Sequence, residues 1–264
     1  MGNLLIGTSG FSYDDWRGFF YPEDIQKGRM LSYYATKFTA VEVNSSYYAI
    51  PPPATFQRMA AKTPESFRFA VKVNKDITHA PDVDLSVFKQ FVAAVEPLME
   101  EGKLGCVLAQ YPWSFRKNQT NADRVRQLRQ ELGELPAVVE FRNYGWVAED
   151  TFALLRENNL GFCCVDEPKL RGLMPPIAFA TSNVAYVRFH GRNAEKWWQH
   201  QEAWERYDYL YSRDELDEWV PKVKRLASSA GHTYLFFNNH YQGKAAQNAQ
   251  LFADMLGVEL PGEG

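Results

Sequence analysis

The chain contains 264 residues, of which 45% are hydrophobic and 23% are charged. These fractions exclude a disordered or fibrous chain, and a net charge of −3 excludes a strongly basic nucleic-acid coat protein. The net charge gives no support for a nucleic-acid partner, which would require a local basic patch on the surface. No segment approaches the about 18 apolar residues of a membrane span, so we expect no membrane contact. The three cysteines form no CxxC pair, which favours a reducing compartment, and we expect a cytoplasmic protein.

Short apolar runs alternate with longer amphipathic stretches along the whole chain. The strand candidates, rich in Val, Phe and Ile, cover residues 4–7, 40–44, 67–73, 104–110, 137–142, 161–166, 185–190 and 233–238. Helical patterns cover residues 30–38, 54–61, 85–100, 122–132, 151–158, 214–229 and 245–256. Eight strand–helix units in about 250 residues are typical of a closed (β/α)8 barrel. We therefore predict an α/β fold, a TIM barrel, formed by one domain over residues 1–264.

Two segments depart from this alternation. Residues 167–183 contain Pro168, Pro175 and Pro176, which predict an irregular sixth crossover whose helix is short or missing. Residues 191–212, after the seventh strand, form a long stretch rich in aromatic side chains. We expect this stretch either to pack over the barrel or to form a lid or platform at its mouth.

The alternation of side chains within the strand candidates indicates which residues face the barrel axis. One parity of each strand faces the axis and the other faces the helices, so the apolar parity is assigned outward. The lower inward layer then contains Glu42, Lys72, Glu140 and Arg188. The upper layer, at the carboxyl ends of the strands where barrel enzymes carry their active sites, contains Thr8, Asn44, Asn74, Gln110, Arg142, Asp166, His190 and Asn238.

Charged side chains on the barrel axis favour a functional site. Buried ion pairs stabilise a fold poorly compared with apolar packing, because the loss of hydration offsets their attraction. The alternative is a self-neutralising network of ion pairs that only fills the axis. The candidate catalytic residues are Glu42, Lys72, Glu140, Asp166, Arg188 and His190.

Each candidate type suits a particular chemistry. Glu42 or Glu140 can act as a general base, and His190 can act as an acid or a base near neutral pH. Lys72 can orient a substrate or, if burial lowers its pKa, act as a nucleophile or Schiff-base amine. A permanent ion pair of Lys72 with one of the two glutamates is the alternative.

Groups at the strand ends and in the loops that follow them are candidates for substrate binding. Arginines suit bidentate contacts with phosphate or carboxylate, and aromatic rings at a charged mouth suit stacking on a base or a sugar. Gly243 and Lys244 open the last helix, where barrels often bind phosphate. The candidate substrate-binding residues are Thr8, Asn44, Asn74, Arg142, Arg192, Asn238, His240, Tyr13, Trp16 and Trp146.

Several linked motifs in these regions resemble those of a known family. The motifs are IGTSGFSY at residues 6–13, VEVNSSYY at 41–48, FAVKV at 69–73, EFR at 140–142, VRFHG at 187–191 and FNNH at 237–240. Over nearly its full length the chain is similar to the YecE-like family, also called the domain-of-unknown-function 72 family. The resemblance implies a TIM barrel with a polar pocket at its mouth, and it implies no particular reaction.

These observations favour an enzyme of hydrolase or lyase type that needs no cofactor. It would act on a small anionic or aromatic-bearing substrate, with a phosphate or carboxylate group, by metal-independent acid–base or hydrolytic chemistry. One alternative is a non-catalytic protein that binds a nucleotide, single-stranded nucleic acid or a sugar phosphate. The other is a metal-dependent phosphoesterase similar to endonuclease IV, with a divalent metal on the carboxylates and histidines. The three basic side chains Lys72, Arg142 and Arg188 weaken the metal alternative, because they would repel the ion.

Overall fold

The structure, a computed structural model, describes residues 2–262 and contains eight parallel strands in one sheet. The strands are β1 (Asn3–Thr8), β2 (Ala40–Val43), β3 (Arg68–Lys72), β4 (Leu104–Gln110), β5 (Ala137–Glu140), β6 (Leu160–Asp166), β7 (Val184–Phe189) and β8 (His232–Phe237). Their order in the sheet is β1-β8-β7-β6-β5-β4-β3-β2, and each neighbouring pair is parallel. The predicted TIM-barrel fold is confirmed.

The sheet nearly closes on itself between β1 and β2. The backbone N–H of Gly10 donates to the carbonyl oxygen of Glu42 at 2.8 Å, and Ser9 forms an isolated parallel bridge with Glu42. Gly7 permits this approach, because a Cβ at that position would lie 1.9 Å from the carbonyl oxygen of Ala40. The missing side chain therefore lets the two end strands meet.

Helices connect the strands around the outside of the sheet. They are α1 (Met30–Tyr34), α2 (Ser45–Tyr48), α3 (Pro53–Ala60), α4 (Lys75–Thr78), α5 (Leu85–Glu100), α6 (Gln119–Leu132), α7 (Glu149–Glu157), α8 (Arg213–Asp217), α9 (Val220–Ser229) and α10 (Lys244–Leu256). The helix predicted over residues 214–229 is two helices, and Pro221 stands in the first turn of α9. Among residues 2–262, no helix has the length and apolar composition needed to cross a membrane.

Both segments predicted to be irregular are irregular in the structure. Residues 167–183 connect β6 to β7 without a helix. Residues 191–212 contain a short 3-10 turn over Ala203–Tyr207, and Trp197 in this loop is buried. The Trp197 ring lies 6.5 Å from the ring of His190 at the end of β7, measured between centroids. The long loop therefore packs over the carboxyl ends of the strands.

The register of the strands decides which side chains face the axis, and the predicted parity is correct in β2, β3, β5 and β7. Arg188 of β7 reaches both Glu42 of β2 and Glu140 of β5. Lys72 of β3 donates to Gln110 of β4, and Gln110 is the register partner of Glu140. In all four strands a polar residue alternates with Val or Phe, so the outward face was identifiable.

In β6 the predicted parity is wrong. Val165 is the register partner of Arg188, whereas Asp166 is the register partner of Phe189. Val165 therefore faces the axis, and Asp166 faces the surrounding helices. Because β6 is apolar at every position before Asp166, its sequence carries no alternation from which the two faces can be distinguished.

Asp166 is the centre of a buried structural cluster outside the barrel. Its carboxylate accepts hydrogen bonds from the Tyr211 hydroxyl and from Trp219 Nε1, each at 2.7 Å. Arg192 donates to the same carboxylate from Nε at 2.8 Å and from Nη2 at 2.7 Å, and it also pairs with Glu218. The cluster consequently occupies both Asp166, predicted to be catalytic, and Arg192, predicted to bind substrate.

The inward placement predicted for Thr8 is also wrong. Thr8 is the register partner of Phe237, and its hydroxyl lies 2.9 Å from the hydroxyl of Tyr34 in α1. The two residues at the end of β1 are Gly7 and Thr8, so this strand too lacks a clear polar–apolar alternation. Thr8 holds α1 against the barrel wall.

We expect Asp166→Ala to lower the free energy of unfolding by about 3–5 kcal/mol, because Arg192 loses its buried partner. Urea unfolding at neutral pH measures the loss. Asp150→Ala, which removes an exposed pair with Lys117, is the control and should cost much less. Equally small losses in the two variants would contradict a structural role for Asp166.

Candidate active site at the barrel mouth

A cavity with two lobes lies at the carboxyl ends of the strands. The inner lobe, of about 290 Å³, is lined by Tyr13, Asn44, Tyr47, Tyr48, Lys72, Gln110, Arg188, Tyr207, Asn238 and His240. The outer lobe, of about 310 Å³, is lined by Tyr47, Tyr48, Lys72, His79, Gln110, Pro112, Trp113, Arg142, Leu173, Trp197, Trp198, Arg206 and Tyr207. The lobes share the side chains of Tyr47, Tyr48, Lys72, Gln110 and Tyr207. Of the predicted site residues, seven line the cavity: Tyr13, Asn44, Lys72, Arg142, Arg188, Asn238 and His240.

The floor of the inner lobe is an ion-pair network centred on Arg188. Its Nη2 lies 2.7 Å from Glu42 Oε1, and its Nη1 lies 2.7 Å from Glu140 Oε2. The hydroxyl of Tyr186 donates to the second oxygen of Glu42 at 2.7 Å. Glu42 and Glu140 are fully buried one layer beneath the cavity, and Arg188 is 2% exposed. The two carboxylates therefore fix the guanidinium at the cavity floor.

Arg142 extends this network into the outer lobe. Its Nε lies 3.0 Å from Glu140 Oε1, and its Nη1 lies 2.8 Å from Glu167 Oε2. Burial alone would raise the pKa of Glu140, but Arg188 and Arg142 outweigh burial and hold that pKa well below its usual range. For Glu167 burial wins over Arg142 and raises the pKa to about 7. Glu140 is therefore a permanent anion, whereas Glu167 changes charge near neutral pH.

His190 is held between the network and β8. Asn238 Nδ2 lies 3.0 Å from Nδ1 of the ring, and Nε2 lies 3.2 Å from Glu140 Oε1. Burial, together with the charge of Arg142, lowers the pKa of His190 to about 3. The ring is thus neutral at physiological pH, with Nδ1 accepting from Asn238 and Nε2–H donating to Glu140. Both ring nitrogens are occupied within the protein.

Lys72 has a different environment from the arginines. Its Nζ donates to Gln110 Oε1 at 2.8 Å and lies 4.2 Å from the centroid of the Tyr47 ring. Burial first, and then the charge of Arg188, lower the pKa of Lys72 to about 7, although the glutamates and the ring favour its charged form. The permanent ion pair with Glu42 or Glu140 is absent, because both carboxylates pair with arginines instead.

Aromatic side chains and Arg206 form the far wall of the outer lobe. The guanidinium of Arg206 lies 5.4 Å from the centroid of the Trp197 ring, and Arg142 lies 5.9 Å from the same ring. Trp113 and Trp198 meet edge to face with centroids 6.1 Å apart, and they are 38% and 52% exposed. This wall presents two exposed indole rings beside two cations.

Three further predicted site residues lie outside the cavity. Trp16 and Trp146 are fully buried, so their predicted place at the rim is wrong. Trp16 donates from Nε1 to the carbonyl oxygen of His240 at 2.6 Å, and Trp146 stacks on Phe141 at 4.3 Å between centroids. Asn74 caps α4, where its side chain accepts from the backbone N–H of Asp76. Each of these side chains packs or caps the structure that carries the mouth.

Glu167, Arg206 and Tyr207 are site residues that the sequence reasoning missed. A correct assignment of the two faces of β6 would have placed Glu167 toward the axis, because it directly follows the outward-facing Asp166. Arg206 and Tyr207 belong to the long loop after β7, where no strand register applies. Only the aromatic composition of that loop signalled its position at the mouth.

The carboxylate oxygens beneath the cavity are poorly placed to bind a metal, because they already accept hydrogen bonds. Within residues 2–262, no three His, Cys, Asp or Glu side chains group so as to hold a metal ion. The carboxylate oxygens of Glu42 and Glu140 already accept from Arg188, Tyr186, Arg142 or His190. The expectation that the protein needs no cofactor stays a prediction.

Comparisons with known proteins place the whole chain beside one family. The family model described as "Protein of unknown function DUF72" matches residues 5–263. The UPF0759 protein YunF of Bacillus subtilis is 30% identical, with 98% of this chain and 96% of that protein covered. A solved DUF72 family protein, TM1631 of Thermotoga maritima, is 41% identical with a TM-score of 0.89, covering 96% of this chain and 99% of that one. Another, EF0366 of Enterococcus faecalis, is 27% identical with a TM-score of 0.85, covering 97% and 96%.

We expect Arg188→Met to lower the free energy of unfolding by about 3–5 kcal/mol at neutral pH, because Glu42 and Glu140 then lose the cation between them. Without the arginine the pKa of Glu140 rises, because Arg188 is one of the charges that hold it down, so lowering the pH protonates this carboxylate and relieves its repulsion with Glu42. The difference in melting temperature between wild type and variant should therefore shrink as the pH falls toward 5. A difference that does not change with pH would contradict this account of the network.

Proposed function

The chain belongs to the DUF72 family, and from the mouth of its barrel we propose that it is an enzyme that acts on an anionic substrate by metal-independent acid–base chemistry. One observation carries the proposal: four side chains that line the cavity each carry a buried polar atom that has no hydrogen-bond partner among the described residues. The atoms are Asn44 Oδ1, Arg188 Nε, Arg206 Nε and His240 Nδ1. Buried polar groups are nearly always paired, so a substrate is the natural partner of this set.

The charges of the lining residues select an anion. Arg142 and Arg188 are paired with carboxylates in the protein, whereas Lys72 and Arg206 form no ion pair among residues 2–262. Both of these unpaired cations line the outer lobe. A phosphate or carboxylate in that lobe would accept charge-assisted hydrogen bonds from these two cations, which have no carboxylate partner among the described residues.

Lys72 is the group best placed to exchange protons with such a substrate. It lines both lobes, and with a pKa of about 7 it is present in both protonation states at neutral pH. A general acid or base works best when its pKa lies near the working pH. Glu42 and Glu140 lie deeper and pair with the arginines, and His190 bonds to Glu140, so we assign these three residues to positioning the cations.

A second candidate function is binding without turnover of a nucleotide or a sugar phosphate. The exposed rings of Trp113 and Trp198 favour it, because they lie in the same lobe as Arg206 and suit a planar base or a sugar face. The titratable amine of Lys72 favours the enzyme, since pure anion binding is served better by an arginine, which stays charged. Binding of a single-stranded nucleic acid, the third ligand of this alternative, would require the same contacts to be repeated along a groove.

Sulfate binding tests the anion site, because sulfate keeps its charge near neutral pH. We expect sulfate to bind one site per chain, as measured by calorimetry, and Arg206→Gln to weaken it about tenfold through loss of a charge-assisted hydrogen bond. The control is Arg225→Gln, which removes the same charge from the exposed face of α9. Equal affinity in the Arg206 and Arg225 variants would overturn the site.

Sulfate affinity should also fall as the pH rises through about 7, since Lys72 loses its proton in this range. Glu167 becomes an anion in the same range and adds to the fall, while His79, whose pKa burial lowers, is already neutral. Lys72→Arg should reduce the pH dependence, and combining it with Glu167→Gln should remove it. A fall of unchanged size in the double variant would show that other groups titrate.

A further inference from the structure

Lys72 has the surroundings of an amine that reacts covalently. Among residues 2–262 its Nζ has one hydrogen-bond partner, the amide oxygen of Gln110 at 2.8 Å, and it lies over the Tyr47 ring. The two acidic side chains whose charges act on Lys72, Glu140 and Glu42, are paired with arginines. An amide oxygen accepts a hydrogen bond from the amine without stabilising its charged form as a carboxylate would, so the nitrogen lone pair stays available when Lys72 is neutral.

The position of Lys72 between the lobes places this amine beside the anion site. Arg206 lies on the outer side, and Arg188 and Asn44 lie on the inner side, each with a polar atom that has no partner among the described residues. A substrate held by its anionic group in one lobe therefore presents its neighbouring atoms to the Nζ of Lys72, where the two lobes meet. Such fixed proximity is what a covalent step requires.

We propose that the substrate is an aldehyde or ketone that carries a phosphate or carboxylate, and that Lys72 forms an imine with its carbonyl carbon. The inference rests on the proposed function, since it uses the same cavity and the same anion contacts. It adds the reacting group of the substrate and makes Lys72 a nucleophile as well as a proton carrier.

The step balances without an oxidant, a reductant or a metal. The Nζ lone pair forms a bond to the carbonyl carbon, and the π electrons of the carbonyl move to its oxygen, which takes one of the amine protons. The resulting carbinolamine breaks its C–O bond, and the nitrogen lone pair forms the C=N bond. The second amine proton leaves with the oxygen as water. Protonation of the imine nitrogen then draws electrons from bonds next to the former carbonyl, which is how lysine imines activate substrates.

The test uses pyridoxal phosphate as a phosphate-bearing aldehyde and 5′-deoxypyridoxal as the matched aldehyde, which has neither the phosphate nor a hydroxyl that can close on the aldehyde. The intact protein is incubated with each, treated with borohydride to fix any imine, digested and analysed by mass spectrometry. We expect one fixed adduct per chain on Lys72 with pyridoxal phosphate, at least tenfold more than with 5′-deoxypyridoxal, and protection by sulfate. With pyridoxal phosphate saturating at every pH, the yield should rise as the pH passes through about 7, where Lys72 becomes neutral.

Two variants separate reactivity from recruitment. Lys72→Arg keeps the cation and should still bind sulfate, but it should form no adduct at position 72. Arg206→Gln keeps the amine but removes the outer cation, so the preference for pyridoxal phosphate over 5′-deoxypyridoxal should fall about tenfold. Melting curves of both variants establish that they are folded before the adducts are compared.

The failures of the two proposals are distinguishable. If pyridoxal phosphate competes with sulfate but leaves Lys72 unmodified, the imine is overturned and the anion site stands. If adducts spread over exposed lysines and sulfate gives no protection, the imine is overturned as well. If neither sulfate nor pyridoxal phosphate binds at the mouth, the proposed function itself fails.

Discussion

The contact of Arg188 with Glu42 and Glu140 is the interaction on which the mouth of the barrel depends. It joins β2, β5 and β7 across the axis at distances of 2.7 Å on both sides. Because all three groups are almost completely removed from solvent, none can lose its partner without leaving an uncompensated buried charge. Apolar residues would fill this space at lower cost in free energy, so the network is better explained by what it does to its neighbours. Charged clusters of this kind concentrate at functional sites.

The effect of the network reaches the cavity through charge. Glu140 accepts from Arg188, Arg142 and His190 at once, which consumes its oxygens and keeps it ionised. Neither Glu42 nor Glu140 is then left to pair with Lys72. Burial, together with the charge of Arg188, lowers the pKa of that amine. The same ion pairs that fix the arginines therefore leave the Lys72 amine without a carboxylate partner and with a lowered pKa. On this account the glutamates act on a substrate through the cations that they hold.

Strand periodicity was sufficient to predict the barrel and the core of the site. In β2, β3, β5 and β7 a polar side chain alternates with Val or Phe, which made the inward placement of Glu42, Lys72, Glu140 and Arg188 readable. In β6 the run of apolar residues hides the parity, and Asp166 was consequently placed on the wrong face. The error is physical: a strand buried on both faces carries no polar signal.

The rest of the site comes from places where no periodicity exists. Arg206 lies in the long loop after β7, whose path depends on how Trp197 packs between the arginines. Trp16 and Trp146 follow strands closely, which favours a place at the rim of the mouth, yet both are buried with their indole N–H groups bonded to backbone carbonyls. A tryptophan near a strand end is compatible with either place, and only the packing decides.

The protonation state of Lys72 is the most direct test of the account. Methyl groups introduced on the lysines, or isotope labels at their Cε, allow each amine to be titrated by NMR. The account predicts one lysine that titrates near pH 7, whose resonance is lost in Lys72→Arg and moves when sulfate binds. If every lysine titrates near its ordinary value of about 10.4, the amine at the mouth is a permanent cation and the account is contradicted.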